Sequence, residues 1–116
     1  MSATTIYMKA NKQISLQEVY KKINGIEGSE EISKTVQRIN DVEILTLVYE
    51  KYYFRTGGYV GLTVVLTEYG QEQTACLVAS NGGGGMEKLS LGANRDYTKA
   101  CVQILEECGF SAVESE

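Results

Sequence analysis

Residues Val42 to Gly85 alternate between apolar and polar side chains in three long segments, each followed by a turn that contains glycine. A period of two is typical of a β-strand with one buried and one exposed face. Short connections join antiparallel neighbours. The middle of the chain therefore predicts an antiparallel β-meander. Its strands are Val42–Arg55, Tyr59–Glu68 and Glu72–Ser80, and its turns are Thr56–Gly58 and Tyr69–Gln71.

Two amphipathic helices are predicted on either side of the meander. Ser15 and Glu18 have the spacing of a capping box, in which a serine and a glutamate satisfy the first free backbone N–H groups of a helix. A second helix is predicted over Asn94–Cys108, with Asn94 as its N-cap. Apolar residues recur every three or four positions in both segments, so each helix has one stripe to bury. The stripes are Leu16, Val19, Tyr20 and Ile23, and then Tyr97, Ala100, Cys101, Ile104, Leu105 and Cys108.

Three further strands complete the predicted fold: Thr4–Ala10, Lys34–Ile39 and a short one at Met86–Leu91. The chain has 116 residues and 43% hydrophobic content, which fits one domain (1–116) with one core. We predict an α+β fold of two layers. It consists of an antiparallel five- to six-stranded sheet with two helices on one face, in the order β-α-β-β-β-β-β-α.

The residue types that are missing argue against common enzyme chemistry. The chain contains no histidine, so it has no Ser-His or Cys-His pair and no imidazole base. Its three cysteines cannot form a four-cysteine zinc site, and the common zinc sites that use histidine are excluded. We therefore expect no catalytic residues, no metal and no cofactor, and a protein that is not an enzyme.

Charge and hydropathy limit the partners. The formal net charge is −4, and the 11 lysines and arginines are scattered, so a nucleic-acid partner is not expected. No apolar run approaches the ~18–20 residues that span a bilayer, so no membrane partner is expected. The first residues lack the pattern of a secretory signal. We expect a cytoplasmic protein.

Tyrosine is abundant, with eight residues. Tyr49, Tyr53, Tyr59 and Tyr69 are predicted on the sheet face opposite the helices, together with Leu45, Leu47 and Val65. Tyrosine is enriched at interfaces because its body is apolar and its tip is polar. The prediction is a self-association or partner surface, and a homodimer in particular. The alternative is a solvated face of tyrosine and threonine, which antiparallel sheets often show.

Four consecutive glycines, Gly82, Gly83, Gly84 and Gly85, form the most unusual local feature. Backbone N–H groups of consecutive glycines can hold an anion, which makes this loop a candidate binding site. However, no lysine followed by serine or threonine comes directly after them, as a P-loop requires. A simple turn is therefore the favoured interpretation.

The run Val48–Tyr52, the Gly57-Gly58 turn, the strand Val60–Thr67 and the glycine loop from Ser80 resemble a family of small bacterial proteins known only as a domain of unknown function. This resemblance implies a cytosolic bacterial protein and brings no functional residues with it. The element order also resembles a shortened helix-grip arrangement, in which a curved sheet wraps a C-terminal helix around an apolar cavity.

The leading hypothesis is a non-enzymatic module that binds itself or a partner. The alternative is a carrier of a small apolar ligand, with a pocket between the sheet and the C-terminal helix. Its predicted lining is Leu62, Val64, Tyr97, Cys101 and Ile104.

Overall fold

The computed structural model describes residues 3–54, 56–81 and 87–113, with side chains described for 4–54, 56–81 and 92–113. Six strands form one sheet in the spatial order β2-β3-β4-β5-β1-β6, and every neighbouring pair is antiparallel. The predicted fold class is confirmed. In chain order the elements are β1 (Ala3–Asn11), α1 (Leu16–Ile23), β2 (Glu30–Ile39), β3 (Val42–Tyr53), β4 (Gly58–Tyr69), β5 (Glu72–Ser80), α2 (Glu87–Glu107) and β6 (Ser111–Val113).

Both helices pack against the same side of the sheet, which we call the covered face. Their apolar stripes meet alternate residues of β1, β3, β4 and β5 in one continuous core, and burying this apolar area is the main force that holds the two layers together. The fully buried apolar side chains from the sheet are Met8, Leu45, Leu47, Tyr49, Val60, Leu62, Val64, Leu66, Ala75, Leu77 and Ala79, and those from the helices are Leu16, Val19, Ile23, Ala93, Tyr97, Cys101 and Leu105.

The ends of the helices agree with the sequence in part. The Ser15 side chain accepts a hydrogen bond from the Glu18 backbone N–H at 3.2 Å, as the capping box predicts. α2 begins at Glu87 rather than at Asn94, so the expected strand at Met86–Leu91 is corrected to helix from Glu87 onward. Asn94 is buried within α2 and is not its N-cap. The sixth strand is instead β6, which follows α2 and pairs with β1.

The register of β3 against β4 differs from the prediction by three residues, which is an odd number. A three-residue turn at 56–58 would pair Arg55 with Tyr59, whereas in the structure Tyr53 pairs with Gly58 across a four-residue loop, 54–57. This loop closes with Gly57 at a positive φ of 68°. Because side chains alternate along a strand, a shift by an odd number of residues exchanges the two faces of β3. Leu45 and Leu47 therefore lie on the covered face instead of opposite the helices.

Strand β2 forms an edge of the sheet that the helices do not cover. All ten of its residues are exposed. Long side chains alone connect it to α1: Lys34 donates to the Gln17 side chain at 3.0 Å, and Glu31 accepts from the Tyr20 hydroxyl. The turn to β3 has Asn40 at a positive φ of 53°, a conformation that asparagine tolerates in tight hairpin turns.

Candidate interaction surface

The sheet face opposite the helices, which we call the open face, has a centre made of β-branched and small side chains together with one tyrosine, Tyr7. Its residues alternate with the buried core residues along β1, β3, β4 and β5, and most are half-buried. We call this set the central block: Thr5, Tyr7, Ile44, Thr46, Val48, Thr63, Val65, Thr67, Thr74, Cys76 and Val78. The sequence predicted an apolar and aromatic open face, but it assigned different β3 residues to it.

None of the residues in the central block carries a charge. Lys9, Glu50 and Glu72 lie at its margins, at the ends of rows that cross the strands. A sheet face exposed to water usually carries charged side chains among its polar ones. Depletion of charge at the centre with charge at the rim is instead the anatomy of a protein interface.

The four predicted tyrosines divide between the two faces. Tyr59 and Tyr69 lie on the open face and are 58% and 60% exposed, which agrees with their predicted placement. Tyr49 and Tyr53 lie on the covered face, and Tyr49 is fully buried, so the prediction for these two residues is wrong. The cause is the shift in the β3 register, which turns every odd-numbered residue of that strand toward the helices.

An aromatic cluster at the β3–β4 end of the open face was missed by the sequence analysis. The Tyr52 ring contacts Phe54 edge to face at 5.2 Å and Tyr59 at 5.3 Å between ring centroids. Phe54 is 92% exposed. Such pairs add about 0.5–1.5 kcal/mol beyond burial. The alternation Tyr52, Phe54 was visible in the sequence, but the misplaced turn assigned these residues to the core.

The tyrosines on the covered face anchor the connection between α1 and β2. The Tyr49 hydroxyl donates to the Asn24 side-chain oxygen at 2.7 Å, and the Ser29 and Tyr97 hydroxyls hydrogen-bond to each other. Asn24 and Ser29 lie at the two ends of this connection, so each end is tied to a buried ring. Burial raises the pKa of Tyr97 to about 12, against a smaller lowering by Ser29. Burial likewise raises the pKa of Tyr49.

The buried thiols and phenols are poorly suited to proton transfer near neutral pH. Burial raises the pKa of Cys101 to about 12, and burial also raises the pKa of Cys108. A general base or nucleophile needs a pKa near the working pH. Within the described residues, no group of three or more cysteine, aspartate or glutamate side chains is arranged to hold a metal ion.

The residues predicted to line a ligand pocket are packed together. Leu62, Val64, Tyr97 and Cys101 are fully excluded from water, and Ile104 packs against the same core. A cleft of about 240 Å³ lies elsewhere, at the corner where β1, β5 and β6 meet. It is polar, and its lining includes Lys9, Asn11, Glu72 and Ser111. Gly82, Gly83, Gly84 and Gly85 lie outside the described residues.

Comparison with known proteins identifies the family. The model of a family of unknown function, DUF6054, matches residues 1–109. The chain belongs to this family. Neither a curated protein nor a solved structure matches the chain. The resemblance noted in the sequence, to a family known only as a domain of unknown function, is thus confirmed at the level of the family.

The two helices of this DUF6054 member differ in length. α1 has 8 residues and α2 has 21. Among the described residues, no helix combines the length and the apolar character needed to cross a membrane.

Proposed function

We propose that this DUF6054 protein is a non-enzymatic cytoplasmic module that associates with a second copy of itself through the open face. The uncharged central block carries the proposal. Its half-buried valine, isoleucine and threonine side chains lie side by side on β3, β4 and β5, next to the exposed Thr5 and Tyr7 of β1 and to exposed aromatic rings at the margin. A contiguous, uncharged and partly apolar surface next to aromatic rings is typical of interaction sites.

The size of the open face matches that of a stable dimer interface. Strands β1 and β5 have 9 residues each, and β3 and β4 have 12 each. Four strands about 4.8 Å apart, each at least nine residues long at about 3.4 Å per residue, cover a flat area of roughly 600 Å². The side chains that project from the sheet increase the accessible area further. A standard interface buries about 800 Å² on each partner. Two sheets can pack in this way about 10 Å apart.

Charge favours a second copy as the partner. In a two-fold contact the same patch faces itself, so any charged residue near its centre would lie close to its own equivalent. The chain has a net charge of −4, yet the central block is neutral and its acidic neighbours Glu50 and Glu72 lie at the rim. This distribution removes the repulsion that self-pairing would otherwise create.

The cytoplasmic location and the lack of enzymatic activity rest on side-chain chemistry. The described cysteines are free rather than paired, which fits a reducing compartment. The buried phenols and thiols have raised pKa values, so they stay protonated at neutral pH. The alternative function, a carrier of an apolar ligand, has weaker support because four of its five predicted lining residues are fully buried in the packed core.

The test is the solution mass of open-face variants, measured by native mass spectrometry and sedimentation. Val65 lies at the centre of the open face and is half-buried. Val65→Lys places an ammonium group there and should break the open-face contact, which lowers the solution mass below that of the wild type. Gln103→Lys adds the same charge at an exposed position on α2 and should leave the dimer intact.

Thermal unfolding shows whether both variants are folded. A Val65→Lys protein that is folded and has the mass of the wild type refutes the open-face contact. A wild-type protein that carries a reproducible additional small-molecule mass as a monomer favours the carrier instead.

A further inference from the structure

The outer edge of β2 is a second candidate surface for association, after the open face. β2 has 10 residues, all exposed, and within the described residues it pairs only with β3. Its Ile32, Val36 and Ile39 side chains are each at least half exposed. An edge strand presents a row of free backbone N–H and C=O groups, which another strand can pair with. The opposite edge of the sheet, β6, has 3 residues and offers far less.

We propose that β2 pairs edge to edge with β2 of a second copy, antiparallel and about a two-fold axis through Thr35. The contact is separate from the open face and extends the sheet sideways. In such a pair, residues directly opposite each other lie on the same side of the sheet. The Thr35-centred register places Thr35 opposite its own equivalent, Lys34 opposite Val36, and Ser33 opposite Gln37.

Charge selects this register among its neighbours. A two-fold axis at Lys34 would place two ammonium groups directly opposite each other. An axis at Val36 would place Lys34 opposite Arg38 twice. Like charges in directly opposite positions destabilise a sheet. The axis at Thr35 avoids both arrangements.

The distribution of charge along β2 also complements itself. Its N-terminal end carries Glu30 and Glu31, and its C-terminal half carries Lys34 and Arg38. Antiparallel pairing brings the acidic end of one copy toward the basic half of the other. Arg38 already contacts Glu43 at 2.8 Å and remains 66% exposed in its side chain, so it is accessible to a second carboxylate.

The irregularity in β2 limits the length of the edge-to-edge contact. The register with β3 shifts between Glu31 and Ser33, which marks a β-bulge. Uninterrupted pairing between two copies therefore runs over five residues, 33–37, and supplies about four to six backbone hydrogen bonds. Each copy uses its edge once, so edge pairing by itself stops at two copies.

Two substitutions of opposite charge at Val36 test the register. Val36 is 50% exposed on the covered-face side of β2, away from the open face. Val36→Lys would place lysine opposite Lys34 twice and should weaken the pair about tenfold. Val36→Glu would place a carboxylate opposite Lys34 and should preserve or strengthen the pair.

The experiment combines each substitution with Val65→Lys, which disables the open face, and measures the mass across a range of concentrations. We expect a dimer for Val65→Lys alone, a dimer that dissociates at about tenfold higher concentration for Val65→Lys with Val36→Lys, and a dimer at least as stable as that of Val65→Lys alone for Val65→Lys with Val36→Glu. Folding of each protein is verified by thermal unfolding. A folded monomer for Val65→Lys alone overturns the edge contact, and equal effects of the two Val36 substitutions overturn the Thr35-centred register.

The result is separable from the open-face proposal. If Val65→Lys leaves the wild-type mass unchanged, the open-face proposal fails, and the Val36 substitutions in the wild-type background then decide the edge contact alone. A loss of association with Val36→Lys and its retention with Val36→Glu would support the edge contact in that case.

Discussion

The buried Tyr49 hydroxyl gives the sharpest test of the β3 register. Tyr49 is 1% exposed, and its hydroxyl donates to the Asn24 side-chain oxygen at 2.7 Å. Tyr49→Phe removes the hydroxyl donor and leaves the Asn24 side-chain oxygen, in a partly buried site, without this hydrogen bond. The net value of such a hydrogen bond is about 1 kcal/mol, within a range of about 0.5–1.5. The ring and its apolar contacts remain, so no large cavity term is added.

This loss converts to a measurable change in melting temperature. At about 2.1 cal/mol/K per residue, the entropy of unfolding for 116 residues is about 0.24 kcal/mol/K. A loss of about 1 kcal/mol therefore lowers the melting temperature by about 4 °C, measured by circular dichroism or calorimetry. Tyr59→Phe is the matched control, because Tyr59 is exposed on the open face and should shift the midpoint by less than 1–2 °C.

A double-mutant cycle isolates the bond itself. If Tyr49 donates to Asn24, the combined Tyr49→Phe and Asn24→Ala protein should lose less stability than the sum of the two single variants. Additive effects, or a Tyr49→Phe protein as stable as the Tyr59→Phe control, would refute the assignment of Tyr49 to the covered face.

Three other measurements examine the same architecture. Leu62→Ala, in the fully buried centre of β4, should cost about 2–5 kcal/mol by urea unfolding, whereas Val65→Ala on the open face should cost much less; similar losses would contradict the assignment of faces. In an alkaline spectrophotometric titration Tyr97 should ionise near pH 12. Because its pKa is raised in the folded state, its contribution to stability is complete below pH about 10 and is lost between about 10 and 12. If Tyr97 ionised together with the exposed tyrosines, that result would contradict its burial. In the Val65→Lys protein, whose open face is uncovered, a thiol reagent should modify half-buried Cys76 first and leave Cys101 and Cys108 protected until the protein unfolds. Equal rates for all three would argue against the packing of α2.

Periodicity predicted most of the fold because it reports burial directly. The strands β4 and β5 and the α1 capping box could be predicted because the residues that define each of them are close together in the sequence. The start of α2 could not be predicted in this way. Residues 87–91 carry no clear stripe, and Asn94, a favourable N-cap by type, is buried inside the helix.

The candidate site was predicted in part for a related reason. Both faces of β3 carry apolar residues, so periodicity does not distinguish Leu45, Leu47 and Tyr49 from Ile44, Val48 and Tyr52. The length of the 54–57 loop decides between them, and several turn lengths fit the same glycines. The exposed edge of β2 was also hidden, because the strand order is a property of the whole sheet and cannot be read from one segment.

The four-residue loop at 54–57 has a consequence for how this family can vary. Removing or adding one residue there would exchange the two sides of β3 relative to the rest of the sheet, so that Leu47 and Tyr49 would face water and Tyr52 would face the helices. The insertion or deletion of one surface residue would therefore change which side chains of β3 contribute to the core. Relatives that keep both the core and the open face should therefore differ in this loop by even numbers of residues, or carry a compensating bulge in one of the two strands.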